Sequence, residues 1–207
     1  AVLGGIVGPF SIATNLLGLT DILMGAMMEP EKVKPWLEIS ERAAIEFAKA
    51  LIDAGADVIV IEDMMSSMDL ISPQMYKDLA GPSMKRVIDE ISVPTILHIC
   101  GKVNPLIEDM IATGATAFSV DIVVDVKDIK EKIAKSGRHV AVVGGVDAVN
   151  TLFYGKEVEP VQAQVKEAIE LGYDLIAPSC SIPPATPDFK LKAMVEAASA
   201  VKLPVAN

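Results

Sequence analysis

The chain has 207 residues, enough for one domain with a sizeable core, and 51% of them are hydrophobic, with a mean hydropathy of +0.43. A formal charge of −10 excludes nucleic-acid binding through a basic face, because no cationic stripe exists to neutralise phosphates. The only two cysteines, Cys100 and Cys180, exclude a disulfide framework and point to a reducing, cytoplasmic setting, with a single bond between them as the alternative.

No charge occurs before Asp21, a length that raises the question of a membrane span. Gly4, Gly5, Gly8, Pro9 and Asn15 interrupt that stretch and no basic flank precedes it, so it reads as a strand (Val2–Val7), a Gly-Pro turn and the start of a helix. Trp36–Ala54 is predicted as a helix with an Ala-rich face, ended by Gly55. A second strand is expected over Asp57–Ile61, then a helix opened by Pro73 and running to about Ile91. Thr95–His98, Ala117–Val120, Val140–Val143 and Leu175–Ala177 are the remaining short, β-branched runs without polar alternation, as expected of strands covered on both faces. Three-and-four spacing of apolar residues places helices between them, over 103–111, 126–133 and 161–169. A last helix from about Asp188 to Val201 leads to Lys202-Leu203-Pro204-Val205, which reads as the entry to another strand.

Strand–helix alternation implies a parallel sheet, and both a (β/α)8 barrel and a doubly wound open sheet fit it. No Gly-x-Gly-x-x-Gly follows the first strand, which weakens the dinucleotide-binding version. Glu62, Asp63, His98, Cys100, Asp121, Asp147 and Cys180 all fall at or just past the ends of successive strands, the rim on which barrels build their active sites. His139 opens its strand instead and reads as a surface or packing residue. The expectation is therefore an α/β chain, residues 1–207 forming one TIM-type barrel domain. Because it starts inside a strand, it is expected to be the later part of a longer barrel.

His98 and Cys100 lie two apart and so point to one face of a strand. With Cys180, 80 residues beyond Cys100, they supply one imidazole and two thiols, the donor set of a zinc site with a fourth position open. Buried core cysteines and a satisfied histidine are the bland alternative. Zinc with two thiolates and a neutral imidazole carries no net charge, which makes it a weak activator of water but a good holder of a substrate thiol in its thiolate form. Transfer of an alkyl group to a thiol is the chemistry expected of such a centre.

His98-Ile99-Cys100-Gly101, the 80-residue interval, and the run from Pro178 through Cys180 to Pro187 together resemble the methylcobamide:coenzyme M methyltransferases of methanogenic archaea, within the uroporphyrinogen decarboxylase superfamily. Gly8-Pro9-Phe10-Ser11, Gly55-Ala56-Asp57 and Gly144-Gly145-Val146-Asp147 are similar to loops of that superfamily. The resemblance implies a (β/α)8 barrel of uroporphyrinogen decarboxylase type lacking early strands. It further implies zinc on His98, Cys100 and Cys180, coenzyme M (2-mercaptoethanesulfonate) as the thiol substrate, and a methylated corrinoid (methylcobamide) protein as the donor docking at the barrel mouth. Ser179 and Ser181 stand where glycines are expected.

Glu62 and Asp121 are candidates to orient His98 or to add a zinc ligand, against solvated loop carboxylates. Asp147 is a candidate site residue or a turn cap, and Lys102 a candidate for the sulfonate or a surface lysine. Met24, Met27, Met28, Met64, Met65 and Met68 read as core filling rather than a soft contact surface. Three rival functions fit less well: cobalamin-independent methionine synthase with homocysteine as the thiol, uroporphyrinogen decarboxylase without a metal, and a non-catalytic module docking a corrinoid protein.

Overall fold

Six strands run parallel in the order in which the chain makes them, so every strand lies beside its sequence neighbour. The computed structural model describes residues 1–201, and the strand entry expected over 202–205 lies outside the described residues. The strands are β1 (Leu3–Val7), β2 (Val58–Glu62), β3 (Thr95–Ile99), β4 (Ala117–Val120), β5 (Ala141–Val146) and β6 (Leu175–Pro178). Parallel neighbours cannot be joined by hairpins, and each crossover here is helical. After β1 come α1 (Pro9–Leu17), α2 (Leu19–Met28) and α3 (Pro30–Asp53). Beyond β2 a short α4 (Pro73–Met75) passes through a π-helical stretch, Tyr76–Ala80, into α5 (Gly81–Asp89). The remaining crossovers are α6 (Ile107–Ala112), α7 (Val126–Ser136) and α8 (Glu159–Leu171), and α9 (Asp188–Ala200) follows β6.

Such a sequential parallel ladder is the wall of a (β/α)8-type barrel, not a doubly wound sheet, in which strand order reverses. Among the described residues β1 and β6 carry no outer strand. One face of the sheet is dry: Ile59, Ile61, Leu97, Ile99, Phe118 and Val142 are buried in one cluster with helix residues such as Leu37, Ala48, Met84, Val87 and Ile129. Val146, Leu152, Val161, Val165 and Met194 make a smaller cluster beside it.

The other face corrects the expectation of strands shielded on both sides, since Leu3 and Val7 of β1 and Leu175 of β6 are exposed. An unclosed sheet has no opposite wall to cover the inward side chains of its edges. The helix expected from Trp36 is α3, which begins six residues earlier and accommodates Pro35, whose missing N–H forfeits one helical bond while Val33 and Leu37 stay buried. Gly144 and Gly145 belong to β5, not to a turn after it. Met24, Met27 and Met28 on α2 are exposed, contrary to core filling, because this short helix buries only Ile22 and Ala26. No single described helix is long and apolar enough to cross a membrane; α1 and α2 together have the length but meet at 112° across Gly18.

Candidate metal centre

Strand register brings the first part of the site together. Glu62 on β2, His98 on β3 and Ser119 on β4 are Cα partners across three adjacent strands. His98 is buried, and its Nδ1 lies 3.1 Å from both the carbonyl oxygen and the Oγ of Ser119. A carbonyl oxygen can only accept, so we assign the hydrogen to Nδ1, which leaves the Nε2 lone pair free to face a metal. That Nε2 lies 3.3 Å from the Sγ of Cys100, one residue past the end of β3.

Cys180 arrives from the loop after β6, where Ser179 N donates to Val146 O at 2.7 Å and fixes the chain beside β5. Ser179, one of the two serines in place of expected glycines, is buried, and its Oγ accepts from Ala148 N at 3.4 Å. The Cys180 and Cys100 sulfurs are 3.6 Å apart and both thiols are free, so the single-disulfide alternative is not the state described. The three donor atoms of His98, Cys100 and Cys180 all lie within 4.8 Å of one another.

The donor set fits zinc. Tetrahedral zinc with bonds of about 2.3 Å to sulfur and about 2.0–2.1 Å to nitrogen has S–S and S–N edges of about 3.8 and about 3.6 Å. The observed 3.6 and 3.3 Å are within a few tenths of an ångström of those edges. Burial pushes the Cys100 thiol up to about 12, helped by the neighbouring Cys180 and by the charges of Asp121 and Glu62. Crowded negative groups of this kind are stabilised by a cation placed among them.

The other candidates divide. Glu62 reaches the same strand end and its charge is felt at Cys100, but the group that meets His98 Nδ1 is Ser119, not Glu62 or Asp121. Asp121 instead accepts from Gly101 N at 3.0 Å and from Ile122 N at 2.6 Å. Asp147 is a cap: it accepts from Val149 N, Asn150 N and the Asn150 side chain. Burial opposes its ionisation, and those hydrogen bonds outweigh burial and hold its carboxyl below the usual range. Lys102 is exposed and forms no ion pair among the described residues, and His139 is exposed at the opposite end of the sheet. Sequence reasoning missed Ser119 and also Ser67, whose Oγ donates to Cys100 O at 2.9 Å. Ser119 sits on β4 between Ala117 and Asp121, but neither its pairing with His98 nor the approach of Ser67 to Cys100 has a local sequence signal.

Comparison with known proteins places the whole chain. Methylcobamide:CoM methyltransferase MtaA of Methanosarcina barkeri is 34% identical over 196 residues, covering 95% of this chain and 57% of that protein. Methylcobamide:CoM methyltransferase MtbA of Methanosarcina acetivorans is 32% identical over 205 residues, covering 97% of this chain and 58% of that one. The chain thus spans a little over half the length of these relatives. A solved methyltransferase from Methanosarcina mazei superposes with a TM-score of 0.89 at 34% identity, covering 95% of this chain and 58% of its own. The profile of the uroporphyrinogen decarboxylase (URO-D) family matches residues 1–201. A parallel wall of six β/α units, matched by that profile over every described residue, makes this chain a member of the uroporphyrinogen decarboxylase family.

Proposed function

We propose that this chain carries the zinc site of a methylcobamide:coenzyme M methyltransferase, moving a methyl group from a methylated corrinoid to the thiol of coenzyme M. The carrying observation is the convergence of the His98, Cys100 and Cys180 donor atoms at the strand-end rim, all within 4.8 Å of one another, with the two edges at Cys100 close to those of tetrahedral zinc. When bound there, zinc supplies a Lewis-acidic centre that keeps a substrate thiol in its nucleophilic thiolate form near neutral pH.

The protein's own groups prepare that chemistry. Cys100 and Cys180 as thiolates would balance the charge of a bound zinc ion, so that an added thiolate would meet a site of net charge −1 and stay reactive. Ser119 holds the His98 ring in the tautomer that offers Nε2. Half-burial of both cysteines shields the centre while leaving an approach from the rim. With a methylated corrinoid as the donor, the methyl group would pass from cobalt to the substrate sulfur, the thiol proton would leave to solvent and the bonding pair would remain with the corrinoid. The donor is proposed to arrive bound to a separate corrinoid protein at the same rim.

X-ray absorption on the zinc-loaded chain, with and without coenzyme M, tests the reading. One additional sulfur ligand with coenzyme M, and a weaker response to homocysteine, is the expected result. An unchanged coordination shell, or full zinc content in Cys180→Ala, overturns it.

A further inference from the structure

Cys100 lies beyond the last residue of β3, where the ladder no longer holds the backbone. A metal ligand on a free loop costs ordering entropy each time the ion binds. Both polar groups of the peptide unit that follows its side chain are nevertheless occupied, and by side chains from the two flanking loops. The Cys100 carbonyl accepts from Ser67 Oγ at 2.9 Å, on the loop after β2. The N–H of the same peptide, on Gly101, donates to Asp121 Oδ2 at 3.0 Å, on the loop after β4. Each clamp residue is itself anchored: Asp121 Oδ1 accepts from Ile122 N at 2.6 Å, and Ser67 Oγ accepts from Asp69 N at 3.3 Å.

We propose that Ser67 and Asp121 are positioning residues that act together, clamping the Cys100–Gly101 peptide from opposite sides so that the Cys100 sulfur is held ready for the metal. The proposal rests on the zinc reading above and assigns these two residues a role neither has in a mere turn. An aspartate suits the position because it must accept from two N–H groups at once. Asparagine offers one carbonyl oxygen and turns an N–H₂ group toward the other donor. The carboxylate also faces the cluster with negative charge, which favours a dication there.

The test is zinc affinity of the 207-residue chain measured by competition with a chromophoric chelator, with the cobalt(II) charge-transfer spectrum as a second readout. Asp121→Asn is expected to weaken zinc binding by about 10–100-fold. Ser67→Ala is expected to weaken it by about 3–10-fold, the share of one neutral hydrogen bond. Because both act on one peptide, the double variant should lose measurably less, or more, than the product of the single losses. The cobalt spectrum should shift in each variant while the thermal midpoint of the metal-free protein moves little. Zinc affinity within twofold of the parent in both single variants overturns the clamp, as does a strictly multiplicative double variant. Should Asp121→Asn not fold, Ser67→Ala and its cobalt spectrum decide alone. A parent chain that takes up no zinc overturns the metal reading itself, which separates the two failures.

Discussion

His98 on β3 and Ser119 on β4 are register partners, and two atoms of Ser119 lie 3.1 Å from one nitrogen of the imidazole. The backbone oxygen survives any substitution at 119, so Ser119→Ala should weaken zinc binding by no more than about 3-fold, the loss of one weak side-chain contact. His98→Ala should weaken it by about 100-fold or more, since a proposed ligand itself is gone. Chelator competition measures both, and a larger loss at Ser119 than at His98 would contradict the assigned tautomer.

Zinc uptake should depend steeply on pH. The Cys100 thiol, pushed up to about 12 by burial, by Cys180 and by nearby carboxylates, is protonated in the metal-free protein and must release its proton to bind. Affinity therefore rises with pH, by about tenfold per unit from this proton alone. Titration of zinc affinity between about pH 6 and 8 checks the sign, and a flat profile refutes it.

Alkylation tests the same crowding without metal. Removing Cys180 takes away the second-largest influence holding the Cys100 thiol up, so metal-free Cys180→Ala should alkylate at Cys100 at lower pH than the parent. Mass spectrometry after timed exposure to iodoacetamide reads the difference.

Asp63 offers a stability test away from the metal. It is buried, Oδ1 accepts from Ser11 N at 2.7 Å in the first turn of α1, and Oδ2 has no partner. Burial raises its carboxyl above the usual range, with hydrogen bonds from Ser11, Phe10 and Ser66 pulling the other way. The folded state thus binds this proton more readily than the unfolded one, and stability falls as pH rises through the folded value. Asp63→Asn keeps an acceptor for Ser11 and carries no charge, so near pH 7 it should match or exceed the parent, with the gap closing in acid. Asp63→Ala leaves the Ser11 N–H in the first turn of α1 without its acceptor and should cost about 1–2 kcal/mol. Urea unfolding at two pH values decides between these outcomes.

Gly101 should not tolerate a side chain. Its φ is +76°, and a Cβ would stand 2.7 Å from an Asp69 carboxylate oxygen. Gly101→Ala is expected to cost about 1–3 kcal/mol and to loosen zinc binding, because strain there is relieved by moving the Cys100 peptide. A variant with unchanged unfolding midpoint and unchanged zinc affinity would show the loop to be more pliable than its geometry implies.

The chain by itself determined the alternation of apolar strands with amphipathic helices, and hence a parallel wall, because hydrophobic period and turn residues are local properties. It also supplied the candidate donor set, since one His-x-Cys pair and one distant cysteine exhaust the thiols available. Only the tertiary structure decided which groups serve that set. Ser67, Ser119 and Asp121 lie 33, 21 and 20 positions from the residues they hold. Their meeting depends on strand register and loop path, which no local pattern encodes. Exposure was settled at the same level: the α2 methionines and the β1 side chains read as core by composition, yet burial requires a facing wall, and the described residues place none there.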